Sequence, residues 1–299
     1  MLDLRFKLNA PAKEIPTCST VLNGVARKYR VDSYRTTLSV KAVHRGAALY
    51  VTPQGRHLVT EDCFLILNEG QEYSLDFQWP EPTETLCPFF QPGFLEVVSY
   101  SLSTPTSKQL DDIETSARPT RFCERLYPRT GRVGAVLDQL HNGVRADCEN
   151  SAWLEDRFHE LAEGLIALNS DVARAIENVG AIRPATRAEL YRRLHCGRDY
   201  LSACYASRIT MADAARAARL SPAHFHRQFR ALFSQTPMQF LQERRLAVAC
   251  RILTTTDEPI TNVCLSVGLE SLGSFCWLFR KRFGCSPGQF RTAHKFARN

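Results

Sequence analysis

The chain has 299 residues, of which 44% are hydrophobic and 23% charged, and its formal net charge is +7. This composition is that of an ordinary globular protein and excludes a wholly disordered, collagen-like or coiled-coil chain. No apolar run approaches the about 18 residues of a membrane-spanning helix, and the first ten residues carry Asp3, Arg5 and Lys7 without an apolar block. We therefore expect no membrane span and no signal peptide, and we expect a cytoplasmic protein.

Eleven cysteines are scattered between Cys18 and Cys285 without any CxxC pair. A secreted disulfide framework favours an even, patterned set, and a zinc site favours closely spaced pairs. The pattern therefore predicts reduced and mostly buried thiols.

Charge is distributed unequally along the chain. Residues 181–299 contain 19 basic and 7 acidic side chains, whereas residues 1–180 contain 19 basic and 24 acidic ones. Of the 19 basic residues in the second part, 17 are arginines, whose donor forks suit phosphates and guanine edges. This asymmetry favours a polyanion as partner of the second part, although a basic face is often only solvated.

Residues 34–100 show the alternation of short strands. Turn residues such as Gly46, Pro53-Gln54-Gly55, Asn68-Glu69-Gly70 and Pro80-Glu81-Pro82 separate the segments. Strands at this spacing predict a β-sandwich or barrel, and the Pro/Ser/Thr-rich stretch 101–130 predicts a connector. The alternating apolar residues are Leu38, Val40 and Ala42 in one segment and Tyr73, Leu75 and Phe77 in another.

The hydrophobic period changes to that of helices after residue 130. A heptad-like seam on the second of these helices has two readings: it packs on the chain's own barrel, or it forms a dimer interface. The segment 180–186, with Pro184, is expected to be a hinge, and the pattern is helical from Arg187 onwards. The seam residues are Leu154, Phe158, Leu161, Leu165 and Leu168.

An internal repeat dominates the last third of the chain. The pattern F-x3-F-R-x2-F-x3-P-x-Q-F occurs twice at an offset of 50 residues, which indicates a duplicated supersecondary unit. Each phenylalanine triad at i, i+4, i+8 marks the buried stripe of one helix, so we assign these rings to the core. The triads are Phe225, Phe229 and Phe233, and Phe275, Phe279 and Phe283.

A short helix precedes each phenylalanine helix, which is the helix-turn-helix pattern. Ser221 suits an N-cap and Pro222 the first helical position, while Glu270 or Ser271 could cap the second helix. Arg219 stands where the second unit has Gly268, and a positive φ there would cost an arginine about 1 kcal/mol.

The helical wheel places polar chemistry opposite the phenylalanine stripes. An arginine near the start of such a helix, Arg227, can donate two hydrogen bonds to a guanine, whereas basic residues later in the helices suit phosphates. For any single arginine, a solvated surface charge is the alternative. The candidate DNA-binding residues are Ala223, His224, His226, Arg227 and Arg230 in the first unit, and Gly273, Ser274, Trp277, Arg280 and Lys281 in the second.

Residues 183–295 resemble the DNA-binding domain of the AraC/XylS family of transcription regulators. The matching segments are Arg192-Arg193-Leu194-His195, LSPAHFHRQFRALF at 220–233 and VGLESLGSFCWLFRKRFGCSPGQFR at 267–291. The resemblance implies two helix-turn-helix units bridged by a long helix at about 237–253, with both recognition helices in successive major grooves of double-stranded DNA. Members often carry arginine at the position of Trp277, so we expect the first unit to read sequence more strictly.

The rest of the chain resembles, more weakly, the regulatory part of the same family, through FLILNEGQEYSL at 64–75 and CPFFQPGF at 87–94. The resemblance implies an α+β protein: a cupin-like β-barrel over 1–125, a helical linker and homodimerisation segment over 126–180, and an all-α double helix-turn-helix domain over 181–299. A small-molecule effector and RNA polymerase are the further partners it implies. Phe64, Tyr73, Leu75 and Phe77 are candidates for an effector pocket, with plain barrel core as the alternative.

Other chemistry finds little support in the sequence. His44 and His57 are isolated, and Tyr73 stands where a metal-binding cupin would place a histidine, so we expect no metal or other cofactor and no enzyme activity. The alternatives to a specific regulator are a non-specific architectural DNA binder and a cupin enzyme fused to a DNA-binding tail. Bound metal in the purified protein would favour the enzyme, and a steep salt dependence with no sequence preference would favour the architectural binder.

Overall fold

The computed structural model describes residues 18–103, 120–146, 150–180 and 183–295. The chain divides into two compact units, Met1–Arg192 and Arg193–Asn299, and the division falls inside a helix that runs over Pro184–Ala203. The first unit contains an antiparallel sheet followed by helices, and the second is helical, which confirms the predicted α+β class.

The sheet of the first unit is antiparallel and curls almost into a closed barrel. Its strands neighbour one another in the order β4-β3-β6-β2-β5-β7, and β1 pairs with β6 beside this path. The sequence patterns did not indicate β1. The strands are β1 (Thr20–Arg35), β2 (Ser39–Arg45), β3 (Ala47–Thr52), β4 (Gly55–Thr60), β5 (Cys63–Leu67), β6 (Glu72–Phe89) and β7 (Leu126–Pro128).

The predicted turn at Pro80-Glu81-Pro82 is wrong, because β6 continues through these residues as one long strand. Pairing with β1 shifts here: Ala26 lies opposite Thr83, whereas Lys28 lies opposite Gln78. Proline has no N–H group to donate to a ladder, so a strand holds prolines most readily where its pairing is interrupted. The prolines therefore mark an irregularity in β6.

Alternation along the strands separates an interior face from an outer face. Tyr73, Leu75 and Phe77 of β6 face the interior, where they pack with Tyr50 and Val43. On β2 the predicted polar position is also buried: Lys41 is only 1% exposed. The alternation therefore predicted the apolar residues of β2 correctly but gave no sign that its polar neighbour is also enclosed.

Helices follow the sheet and bury the heptad-like seam inside the chain. Leu154, Phe158, Leu161 and Leu165 are all buried, and Leu168 at the end of the seam is half-buried. The Phe158 ring meets the Phe90 ring edge to face at a centroid distance of 5.3 Å. The seam thus packs within the first unit, and dimerisation through 130–170 would need other faces of these helices. The helices are α1 (Phe94–Ser103), which was not predicted, α2 (Gly131–Arg145), α3 (Ser151–Glu177) and α4 (Pro184–Ala203).

The second unit contains two short-helix and long-helix pairs joined by a bridging helix. The bridging helix begins at Pro237 as predicted and ends at Thr255, two residues beyond the predicted Leu253. The helices are α5 (Met211–Ala217) and α6 (Pro222–Phe233), the bridging α7 (Pro237–Thr255), α8 (Ile260–Ser266) and α9 (Leu272–Phe283), and the final α10 (Pro287–Lys295).

The aromatic and glutamine positions of the internal repeat make equivalent contacts in the two units. Phe229 packs against Phe240 at 5.9 Å between ring centroids, and the equivalent pair Phe279 and Phe290 lies at 5.4 Å. The repeated glutamine closes a capping box with the residue before the proline, because the two side chains satisfy one another's backbone N–H groups. These boxes join Thr236 with Gln239, and Ser286 with Gln289.

Among the described residues, no helix is both long enough and apolar enough to cross a membrane. Ten cysteines lie in these residues and all carry free thiols, but only Cys196 and Cys264 are buried and the others are half-buried. The expectation of mostly buried thiols is therefore wrong, because eight of these ten cysteines are only half-buried.

Candidate nucleic-acid interface

The first candidate recognition helix, α6, begins at a serine cap. The Ser221 hydroxyl accepts a hydrogen bond from the backbone N–H of His224, and Pro222 occupies the first turn, as predicted. The turn from α5 passes through Arg219, whose φ is 54°, so the predicted positive φ at this position is present. The Arg219 carbonyl accepts a hydrogen bond from Arg193 Nη1 at 3.3 Å.

The phenylalanine stripe and the candidate DNA-binding residues lie on opposite faces of α6. Phe225 and Phe229 are fully buried. The opposite face is exposed at Arg227 and Arg230, and neither guanidinium group has a hydrogen bond or ion pair within the described parts of the chain. Of the other predicted residues, Ala223 and His226 are exposed and His224 is half-buried.

The second candidate recognition helix, α9, is capped by Ser271, whose hydroxyl accepts from the backbone N–H of Ser274. Ser271, and not Glu270, is therefore the cap. The turn before α9 is one residue longer than the turn before α6. At its start, Gly268 has a φ of 78°, and a Cβ there would lie 2.7 Å from the Ala206 carbonyl oxygen. Glycine is required at this position both by the backbone conformation and by the close approach.

The outer face of α9 is exposed but more apolar than that of α6. Trp277 is 61% exposed and Leu272 is 41% exposed. The Lys281 ammonium lies over the Trp277 ring, 5.0 Å from its centroid. The remaining predicted residues, Gly273, Ser274 and Arg280, are also exposed.

Neither α6 nor α9 contains an acidic residue, so nothing along either helix repels a phosphate. Not every nearby arginine is free to contact DNA, however. Arg282 Nε donates to Glu243 Oε2 at 2.8 Å, and this ion pair raises the pKa of Arg282 further. Arg245 donates to the backbone carbonyls of Tyr205 and Ser207. The outer faces of the two helices thus carry basic charge that is available for a ligand.

The first unit contains a cavity of about 120 Å³ inside the curled sheet. Tyr73, Leu75 and Phe77 line it, as predicted for an effector pocket. Phe64 does not: it is fully buried on the other face of β5, where its ring stacks on Tyr127 at 5.6 Å. Successive residues of a strand point to opposite faces, so Leu65, and not Phe64, belongs to the interior core.

The sequence analysis missed the most unusual residue of this cavity, Lys41. The motif search did not find it because a lysine between two apolar strand residues is typical of a solvent-facing position. The histidines that the sequence shows as isolated have partners in the structure. His57 Nε2 lies 2.9 Å from Glu124 Oε1, and the His44 ring stacks on His141 at 3.6 Å. Among the described residues, no group of three or more His, Cys, Asp or Glu side chains could hold a metal ion.

Comparison with known proteins places the strongest similarity in the second unit. Residues 214–293 match a family model described as a helix-turn-helix domain. The chain is 28% identical over 97 residues to the bifunctional transcriptional activator/DNA repair enzyme AdaA of Bacillus subtilis. This match covers 32% of this chain and 46% of AdaA. It is 38% identical over 86 residues to the transcriptional activator NphR of a Rhodococcus species, and this match covers 29% of this chain and 25% of NphR. The chain thus spans less than half the length of these relatives.

Two of the solved structures that match the chain are the following. The DNA-binding domain of AdpA, in complex with a target DNA, matches 36% of this chain and 96% of its own at 27% identity, with a TM-score of 0.34. ToxT from Vibrio cholerae, as the apo K231A variant, matches 94% of this chain and 99% of its own at 13% identity, with a TM-score of 0.35.

Proposed function

We propose that this chain, whose residues 214–293 are an AraC-type helix-turn-helix domain, is a sequence-specific DNA-binding transcription regulator. One observation carries the proposal. Two helices built on the same buried phenylalanine stripe each present an exposed face without acidic residues. A helix that buries one side and offers donors on the other is the form that enters a major groove.

In the proposed complex the two helices have different tasks. Arg227 lies in the first half of α6 and would donate to guanine O6 and N7, which fixes one base pair. Arg230, Arg280 and Lys281 lie later in their helices and would contact phosphates, which position the domain without reading sequence. Trp277 would contact thymine methyl groups or the sugar backbone.

The remaining features of the proposal concern the whole protein. It would act in the cytoplasm as a non-enzymatic regulator, with a small-molecule effector in the cavity of the first unit and RNA polymerase as a further partner. We retain the organisation of a sensory barrel over 1–125, a dimerising segment over 126–180 and the DNA-binding domain from 181 onwards. An effector would regulate DNA binding only if it prefers one of two conformations of the protein.

The proposal is tested by selecting DNA fragments that the full chain binds from a genomic library and then competing them with random duplex at a fixed salt concentration. We expect a recurring sequence and a preference of about a thousandfold or more over random DNA, as specific regulators show. Equal binding of all duplexes, with a steep salt dependence, would instead identify an architectural binder.

The variant Arg227→Ala sharpens the same measurement. It should weaken specific binding by about 1–3 kcal/mol and relax one base position. The matched control is Arg216→Ala on α5, which removes an exposed arginine that pairs with Asp213 and lies off the two outer faces. If Arg227→Ala and the control bind the selected DNA equally well, the role given to Arg227 is wrong.

A further inference from the structure

The cavity inside the sheet of the first unit contains a buried charge that has no protein partner. The Lys41 side chain comes from β2 and is 1% exposed. Its Nζ atom has no hydrogen bond within the described residues. An isolated ammonium group in such surroundings is costly, so a protein that keeps one there has to balance it by other means.

Aromatic rings supply part of that balance. Lys41 Nζ lies 3.8 Å from the centroid of the Phe89 ring and 4.9 Å from that of Tyr73. Such cation–π contacts stabilise the charged form but satisfy none of the three N–H donors. Burial lowers the pKa of Lys41 to about 8, which still leaves most of the group protonated at neutral pH.

The cavity wall contains no acidic residue that could pair with this charge. Apart from Lys41, the wall consists of apolar, aromatic and uncharged polar side chains. Four of its rings are tyrosines, and burial raises the pKa of each above the usual value, so they stay neutral. The four tyrosines are Tyr29, Tyr34, Tyr50 and Tyr73.

The cavity therefore offers one charged group within aromatic and apolar surface. Those features describe a small molecule with an anionic end and a flat apolar body.

We infer that this cavity binds a small aromatic monocarboxylate, with Lys41 pairing with its carboxylate. The inference rests on the proposed function, in which this cavity holds the effector, and it supplies the chemical class of that effector. A carboxylate fits better than a phosphate, because Lys41 is, among the described residues, the one basic residue that lines the cavity and balances a single negative charge. The ring of the ligand lies against the tyrosine and phenylalanine rings of the wall.

On the other face of the sheet, a hydrogen-bonded chain connects strand β1 to helix α2. Asn23 donates to Glu84, and Glu84 Oε1 lies 2.7 Å from His141 Nε2 on α2. Burial opposes ionisation of Glu84, but the hydrogen bonds from His141 and Asn23 outweigh it and lower the pKa of this carboxyl group. Strand β1, which lines the cavity, is therefore already linked to a helix of the proposed dimerising segment.

The inference is tested by calorimetric titration of the full chain with benzoate, phenylacetate and 3-phenylpropanoate, each beside its neutral amide. At least one carboxylate should bind about tenfold or more tightly than its amide, because a hydrogen bond to a charged group contributes about that factor. Inorganic phosphate serves as the control for binding of any anion.

The variant Lys41→Met assigns the effect to one side chain. Methionine fills a similar volume without a charge, so we expect the variant to fold with an unchanged or higher melting temperature. The carboxylate should then lose its advantage over the amide.

The inference is overturned if no carboxylate of the panel binds better than its amide, if phosphate binds as well as the carboxylates, or if Lys41→Met keeps the discrimination. DNA binding is measured separately on the same preparations. Carboxylate binding without sequence-specific DNA binding would refute the proposed function and leave the inference standing. Sequence-specific DNA binding without carboxylate binding would refute the inference and leave the proposed function standing.

Discussion

The two helix-turn-helix units share one internal design and differ on their outer surfaces. Both bury two phenylalanines of the stripe completely, both cap the recognition helix with a serine, and both end it with a residue in the left-handed conformation, Ser234 or Gly284. The outer faces differ, with Arg227 on α6 and Trp277 on α9. Packing restricts the buried positions of a duplicated unit, whereas the solvent-facing positions are free to diverge.

The turns before the two recognition helices show the same contrast at the level of the backbone. Arg219 and Gly268 both have positive φ, at 54° and 78°. The backbone at Gly268 lies directly against the carbonyl oxygens of Tyr205 and Ala206, whereas Arg219 is exposed. A side chain is thus tolerated in the first turn at the cost of strain, and the second turn has no room for one.

The largest effect is expected for Gly268→Ala, which should lower the free energy of unfolding by more than about 2 kcal/mol, since a Cβ would clash with backbone and add strain. The control is Gly284→Ala, at a similar φ of 77° but with no atom within 4 Å of the added Cβ. It should cost only the strain, about 1 kcal/mol. If urea denaturation gives equal losses of unfolding free energy for the two variants, the close approach to Ala206 does not contribute to stability.

The next effect concerns DNA binding and compares the outer faces. Arg227→Ala should reduce the free energy of specific DNA binding by about 1–3 kcal/mol and broaden the preference at one base position. Trp277→Ala should weaken binding by a smaller amount, and that amount should be similar for all DNA sequences. Binding-site selection with each variant measures this difference. Equal sequence information at the two half-sites of the unmodified protein would contradict a stricter first unit.

A third effect tests the shared design. Thr236→Ala and Ser286→Ala each remove the side-chain half of one capping box and should each lower the free energy of unfolding by about 1 kcal/mol. The two losses should agree, because the boxes occupy equivalent positions of the repeat. If thermal unfolding gives clearly different losses, the two units are not energetically equivalent.

The smallest expected effect is a gain. Arg219→Gly should raise the free energy of unfolding by about 0.5–1 kcal/mol, since relief of the left-handed strain slightly exceeds the entropy cost of a glycine. Arg219→Ala keeps the Cβ and should leave stability unchanged. A loss of stability in Arg219→Gly would mean that the arginine side chain makes contacts that outweigh the strain.

The second unit could be predicted closely and the first only in part. The phenylalanine stripes, the Ser221 cap and the bridging helix all follow from residues a few positions apart, and the structure has them where the sequence indicated. In the first unit the fold class was predicted, but β1 and α1 were not, and Pro80-Glu81-Pro82 was taken for a turn. Strand β1 pairs with residues about fifty positions away, and no local pattern reports such a partner.

The candidate sites divide in the same way. The residues of the outer helix faces could be chosen from a helical wheel, because a buried stripe defines its own opposite side. For the cavity, periodicity found Tyr73, Leu75 and Phe77 but misplaced Phe64 and passed over Lys41. Whether a strand residue faces the interior of a curled sheet depends on strands that are distant in the chain.

Short-range periodicity alone therefore established the duplicated helical domain, its caps and its exposed faces, because contacts within a helix connect residues three or four positions apart. Closure of the sheet decided what no local pattern contains: that Lys41 is enclosed, that Phe64 faces away from the cavity, and that the heptad-like seam packs within its own chain. The physical reason is that a strand acquires its inner and outer sides only when distant strands pair with it.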